Sequence, residues 1–174
     1  MSTVDNESAL VRRAMDGDPE AFSELAAAHW RRLLGLARSI VADLEAEDVV
    51  QDGLVKAWKK LRSLRDPEAF SAWLTRIVAN TAFASARRWR STEPIDGVAV
   101  AAAGEGVDLR IDIGRLLARL APKQRAVLHL TTIEGFSDSE IAGMLGISSS
   151  SVRVHRLRAR RRLAALAGGG ARDE

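Results

Sequence analysis

The 174-residue sequence contains no cysteine, which excludes disulfides, thiolate zinc sites, cysteine nucleophiles and thiol redox sensing within the chain. Its three histidines, His29, His129 and His155, are scattered, so they lack the clustered spacing that a metal site needs. There is no glycine-rich phosphate loop and no nucleophile motif, and the carboxylates are dispersed; no enzyme, metal or other cofactor is expected. No apolar run approaches the length needed to cross a bilayer, and the polar N-terminus lacks the basic, apolar and cleavage regions of a signal peptide. The expectation is a soluble cytoplasmic protein. Alternating strand patterns and Asn-Gly hairpin turns are also missing, whereas nearly every periodic segment has helical spacing, so the expected class is all-α.

What is present is segregated charge. The 26 Lys and Arg residues and 23 Asp and Glu residues leave a net charge of only +3, but clusters of one sign decide partners more than the sum does. Asp18 and Pro19 have the chemistry of an N-cap and first helical position, and Phe22, Leu25, Leu33, Leu36, Ile40 and Val41 give the helix that follows an apolar side. Asp43 to Leu61 forms a further helix with Val50, Leu54, Trp58 and Leu61 on one stripe and Glu47, Asp48, Gln51 and Asp52 beside it. Asp66 and Pro67 restart a helix that runs to about Arg90. Residues 91–108 carry proline, glycines and small residues without an amphipathic period, as a flexible linker does. Two small helical domains are therefore expected, at 1–90 and 109–167, with a frayed tail at 168–174.

The segment from Phe136 to Leu163 reads as a helix-turn-helix. Ser137 and Glu140 have capping-box spacing, Gly146 can end the first helix in a left-handed turn, and Ser148 caps the second. Val152, Ala159 and Leu163 share a face that can pack on Ile141 and Leu145. The other face carries Ser150, Val154, Arg158 and Arg161, flanked by Ser149, Arg153 and Arg160, and no acidic residue occurs between Ser148 and Leu163. Arginines suit phosphate oxygens, while the smaller side chains near the helix start can approach base edges.

A second basic surface lies on the 66–90 helix. Phe70, Leu74, Ile77 and Thr81 suit packing, with Trp73 favoured for the core. Arg76, Asn80, Phe83, Arg87 and Arg90, joined by Arg88, combine cations for a phosphate backbone with an amide and an aromatic ring for a base. The arginines also complement the helix macrodipole, which leaves a purely structural role open.

Together these modules resemble a bacterial RNA polymerase sigma factor of the extracytoplasmic-function type. LVRRAMDGDPEAFSELAAAHWRRLLGLA is similar to that family's opening segment, AEDVVQDGLVKAWKKL to its polymerase-binding region, FSAWLTRIVANTAFASARRWR to its −10 region, and the stretch from LARLAPKQR to RLRARRRL to its −35 module. The resemblance implies that Glu47, Asp48, Gln51 and Asp52 dock onto core RNA polymerase. It implies that the loop from Ser63 through Leu64 and Arg65 to Phe70 captures an unstacked base above Asn80, and that an anti-sigma factor regulates the chain. The sequence departs from the family at Ala79, Ala84, His155 and Arg156. A conventional helix-turn-helix regulator with a helical sensing or dimerisation domain is the alternative.

Overall fold

The computed structural model describes residues 3–92 and 116–169. Among them α-helices and short 3-10 turns are the regular structure: α1 (Thr3–Met15), α2 (Pro19–Arg38), α3 (Asp43–Lys60), two 3-10 turns (Leu61–Ser63 and Pro67–Ala69), α4 (Phe70–Thr92), α5 (Pro122–Thr132), α6 (Asp138–Leu145) and α7 (Ser149–Gly169). The expected all-α class holds. The linker residues 93–108 and the tail residues 170–174 lie outside the described residues.

Local chemistry sets most of the boundaries. Asp18 Oδ1 accepts from the Ala21 amide at 3.0 Å while Pro19 occupies the first turn of α2; the bond to that amide and the Arg13 guanidinium hold the Asp18 carboxyl below its ordinary pKa. Asp66 caps the turn that leads into α4, accepting from Glu68 N at 3.0 Å. The periodicity predicts one apolar side running through Val41, yet α2 ends at Arg38, and buried Ile40 and Val41 lie in the corner before α3. At the other end, α7 continues through Gly168 and Gly169, two residues into the expected tail.

The N-terminal helices enclose one apolar core. Val11, Leu25, Leu33, Leu36, Val50, Leu61, Phe70, Leu74 and Val78 are almost completely buried. Helices α3 and α4 approach so closely at Gly53 that a Cβ there would sit 2.7 Å from Val78 Cγ2. Trp73 is half-buried with its ring 6.0 Å from that of Phe70, as the core assignment expects. Helix α1 packs on α2 and braces the 61–69 loop.

The C-terminal helices do not stand apart. α5 packs on α2, and α6 packs on α4. Arg125 of α5 donates from Nε to the Ser39 carbonyl at 2.7 Å and from Nη2 to the Ile40 carbonyl at 3.1 Å, and its Nη1 reaches the Ala118 and Leu120 carbonyls. The carbonyls at the end of a helix such as α2 lack intrahelical donors and carry partial negative charge, so a guanidinium is a suitable cap. Also between the modules, Arg32 stands 5.7 Å over the Phe136 ring and donates to Thr75 Oγ1 at 3.0 Å. His129 packs against Gly35, where a Cβ would lie 3.0 Å from its Cε1.

Candidate nucleic-acid interface

The helix-turn-helix forms as its caps predict. Ser137 Oγ accepts from the Glu140 amide at 3.4 Å while Glu140 Oε2 accepts from Ser137 N at 2.8 Å, and donation to that carboxylate from Ser137 Oγ at 2.6 Å, then from Ser137 N, lowers the Glu140 pKa. Gly146 takes φ 64 and ψ 38 to close α6, a left-handed conformation that costs glycine little. Ser148 Oγ accepts from the Ser151 amide at 3.1 Å to open α7.

Helix α7 turns Val152 and Ala159 fully inward, and Val152 joins the apolar cluster that holds buried Ile141 and Leu145. Ser150, Arg153, Val154, Arg158 and Arg161 are exposed, and Ser149 is half-exposed at the start of the helix. Leu157 was not among the expected contacts; it is 49% exposed, one turn beyond Val154 at 44%. Two aliphatic side chains open to solvent between arginines suit apolar contact with a thymine methyl. The spacing i, i+3 from Val154 was the available sequence signal.

Two positions that depart from the family's pattern face inward. His155 is half-buried and its Nδ1 has no partner; burial, then Lys123 and Arg158, push its pKa down, which favours a neutral ring. The Arg156 guanidinium makes a two-pronged contact with the Asp138 carboxylate, through Nη1 to Oδ1 and through Nη2 to Oδ2 at 3.2 Å. Neither residue joins the outward face.

On α4, Arg76, Asn80, Arg87 and Arg88 are exposed. Asn80 borders a shallow cavity of about 230 Å³ that is also lined by Lys56, Lys60, Ile77, Thr81 and Ala84. Lys56 Nζ donates to Thr81 Oγ1 at 3.3 Å. Sequence reading missed both lysines, because only the packing of α3 on α4 brings them to Asn80. With Ala84 in its lining, the cavity is bordered by two lysines, an asparagine and a threonine and by no acidic residue.

Phe83 and Leu64 require correction. Phe83 is 9% exposed and belongs to the apolar core, so in this arrangement its ring is no stacking platform. The reason is tertiary: α4 is covered by α3 on one side and α6 on another. Leu64 is 7% exposed and points into the core beneath its loop, leaving Ser63 and Arg65 as the exposed members. Ala79 is completely buried, so this departure does not alter the open face. The Arg90 side chain lies outside the described residues.

Glu47, Asp48, Gln51 and Asp52 are all exposed on α3. Leu44, 95% exposed, and Val55 lie on the same side of that helix. An acidic face carrying exposed aliphatic side chains suits a protein partner of opposite charge.

Residues 25–92 match the Sigma-70 region 2 family and residues 110–163 the Sigma-70 region 4 family. The chain is 35% identical to the ECF RNA polymerase sigma factor SigM of Mycobacterium tuberculosis over 94% of this chain and 85% of that relative. It belongs to the extracytoplasmic-function sigma factors. As such it associates with core RNA polymerase and directs transcription initiation at promoters. It is also 29% identical to the ECF RNA polymerase sigma-E factor of Escherichia coli, over 92% of this chain and 93% of that one. Among solved structures it is similar to CnrH in complex with the cytosolic domain of CnrY, with a TM-score of 0.72 and 32% identity over 94% of this chain and 97% of that one. A second likeness is to RpoE in complex with the anti-sigma factor NepR from Bartonella quintana, with a TM-score of 0.69 and 28% identity over 88% of this chain and 98% of that one.

Proposed function

We propose that this sigma factor reads its promoter at two points and rests in a closed form that must open to do so. The observation that carries the proposal is the packing of α6 on α4, which brings the helix-turn-helix against the −10 helix: Arg76 Nη2 would lie 3.8 Å from a Cβ on Gly146. Promoter elements centred near −10 and −35 are roughly 85 Å apart along B-DNA at about 3.4 Å per base pair. A compact chain of this length is roughly 40 Å across. Two readers in contact cannot occupy both elements, so binding to the promoter separates them.

In the opened form, Ser149, Ser150, Arg153, Val154, Leu157, Arg158 and Arg161 contact the −35 element. Arg76, Asn80, Arg87 and Arg88, with Ser63 and Arg65, face the −10 element, and Lys56 and Lys60 guide the displaced strand past Asn80. Extruding a base costs a few kcal/mol of stacking, which a preformed cationic cavity offsets without nucleotide hydrolysis. The factor therefore acts as a non-catalytic, cytoplasmic subunit. Glu47, Asp48, Gln51 and Asp52 dock on the polymerase. The relatives bound to CnrY and NepR support an anti-sigma factor as the partner that holds the closed form.

The test is run-off transcription by core polymerase with the purified chain. Initiation at one defined promoter, lost on Asp48→Lys with no change in thermal unfolding, is the expected result. A stable dimer that binds a palindromic site without polymerase would instead support the conventional regulator.

A further inference from the structure

The recognition helix is held on α6 by two kinds of contact. The first is apolar, with Val152 of α7 buried in one cluster with Ile141 and Leu145 of α6. Apolar burial is non-directional, and small aliphatic faces tolerate rolling and sliding of one helix on the other. The second is the forked contact of Arg156 with Asp138. A bidentate guanidinium–carboxylate pair has a defined plane and direction, so it fixes orientation as well as attraction.

Both ends of that pair are anchored. Asp138 is the first residue of α6, next to the Ser137–Glu140 capping box, where a carboxylate also complements the helix N-terminus. Arg156 lies on the inward side of α7, with its side chain about one quarter exposed. Since α7 has no acidic residue from Ser148 to Leu163, a carboxylate partner for Arg156 must come from another element.

We propose that Arg156 is a positioning residue for −35 recognition: with Asp138 it sets the rotation of α7 on α6, and thereby the aim of Arg153, Val154 and Leu157 at the bases. It is not a phosphate ligand. The proposal rests on the −35 role of this helix, and it converts one arginine of the basic run from an affinity residue into a specificity residue.

The two roles separate in the salt dependence of binding. Losing a phosphate contact weakens binding to every sequence and lowers the slope of log K against log salt by about 0.9. Losing a brace blurs the aim of the base-reading side chains and leaves the number of neutralised phosphates unchanged. The experiment uses holoenzyme carrying the full chain as wild type, Arg156→Gln, Asp138→Asn or the double variant. Affinity is measured across a salt series on promoter DNA and on the same DNA with a scrambled −35 element, and thermal unfolding checks that each variant folds.

The expected result is a loss of about three- to tenfold in discrimination for either single variant. The salt slope stays unchanged, and the double variant is no worse than the singles because the two side chains act as one unit. A slope lowered by about 0.9 in Arg156→Gln with wild-type behaviour in Asp138→Asn overturns the proposal, as does unchanged discrimination in both folded variants. Failure of the wild-type holoenzyme to distinguish the two DNAs would overturn the −35 reading itself.

Discussion

Arg125 Nε meets the Ser39 carbonyl at 2.7 Å, and this bond joins the two DNA-reading modules of the chain. Its Nη2 takes the neighbouring Ile40 carbonyl, so one side chain caps the corner after α2 from the opposite module. Hydrogen bonds from a charged donor contribute about 1.5–3 kcal/mol each when well formed, which makes Arg125 a substantial polar tie in the joint.

Arg125→Met should therefore loosen the closed form without unfolding either module. Small-angle scattering should show a larger radius of gyration for the free variant, while its helical content by circular dichroism stays that of the wild type. An unchanged radius would place the stability of the joint in its apolar contacts.

The joint should also weaken in acid. His129 lies 3.5 Å from Glu134 Oε1, and burial lowers its pKa below the ordinary 6.5 more than Glu134 raises it. A histidine with a depressed folded pKa takes up its proton more readily when released, so its contribution is complete above the ordinary value and is lost as the pH falls through the folded pKa. His29, lowered by burial and then by Arg32, acts in the same direction. Thermal stability should fall as the pH drops below about 6.5, and His129→Gln should flatten that dependence. A wild-type stability that rises on acidification over this window would contradict the assignment.

Gly53→Ala should destabilise the N-terminal module by about 1–3 kcal/mol, because the new methyl group overlaps Val78 and must force α3 from α4. Gly143→Ala is the control: nothing lies within 4 Å of its Cβ position, and alanine in a helix should stabilise by up to about 1 kcal/mol. Chemical denaturation of both variants checks the pair.

On the recognition helix, Arg158→Ala should reduce affinity for all DNA sequences and lower the salt slope by about 0.9. Leu157→Ser should leave that slope intact and change base preference within the −35 element. Promoter selection from a randomised −35 library reads both effects; a Leu157→Ser pool identical to the wild-type pool would remove Leu157 from the reading face.

Features controlled by neighbouring residues were legible in the sequence. The Asp18–Pro19 start of α2, the Ser137–Glu140 box and the left-handed Gly146 all follow from local backbone chemistry, and the structure has each of them. Burial imposed by distant packing was not legible. Phe83 falls on a basic face by helical angle, yet α2, α3 and α6 all pack on α4 and Phe83 is buried. Arg156 stood only as a departure from the family's pattern, because its partner Asp138 lies 18 residues away on the other helix of the motif. Lys56 and Lys60 belong to a helix read for its acidic side, and only the α3–α4 contact brings them to Asn80.

The distance between modules, free and on the promoter, tests the central claim most directly. With no native cysteine, Glu24→Cys in α2 and Gly143→Cys in α6 can carry a pair of dyes at exposed positions. Energy transfer should be high in the free chain and should collapse in holoenzyme bound to promoter DNA, where the readers stand tens of ångströms apart on elements separated by roughly 85 Å. Equal transfer in the free chain and in the promoter complex would contradict a closed form that opens to read two elements.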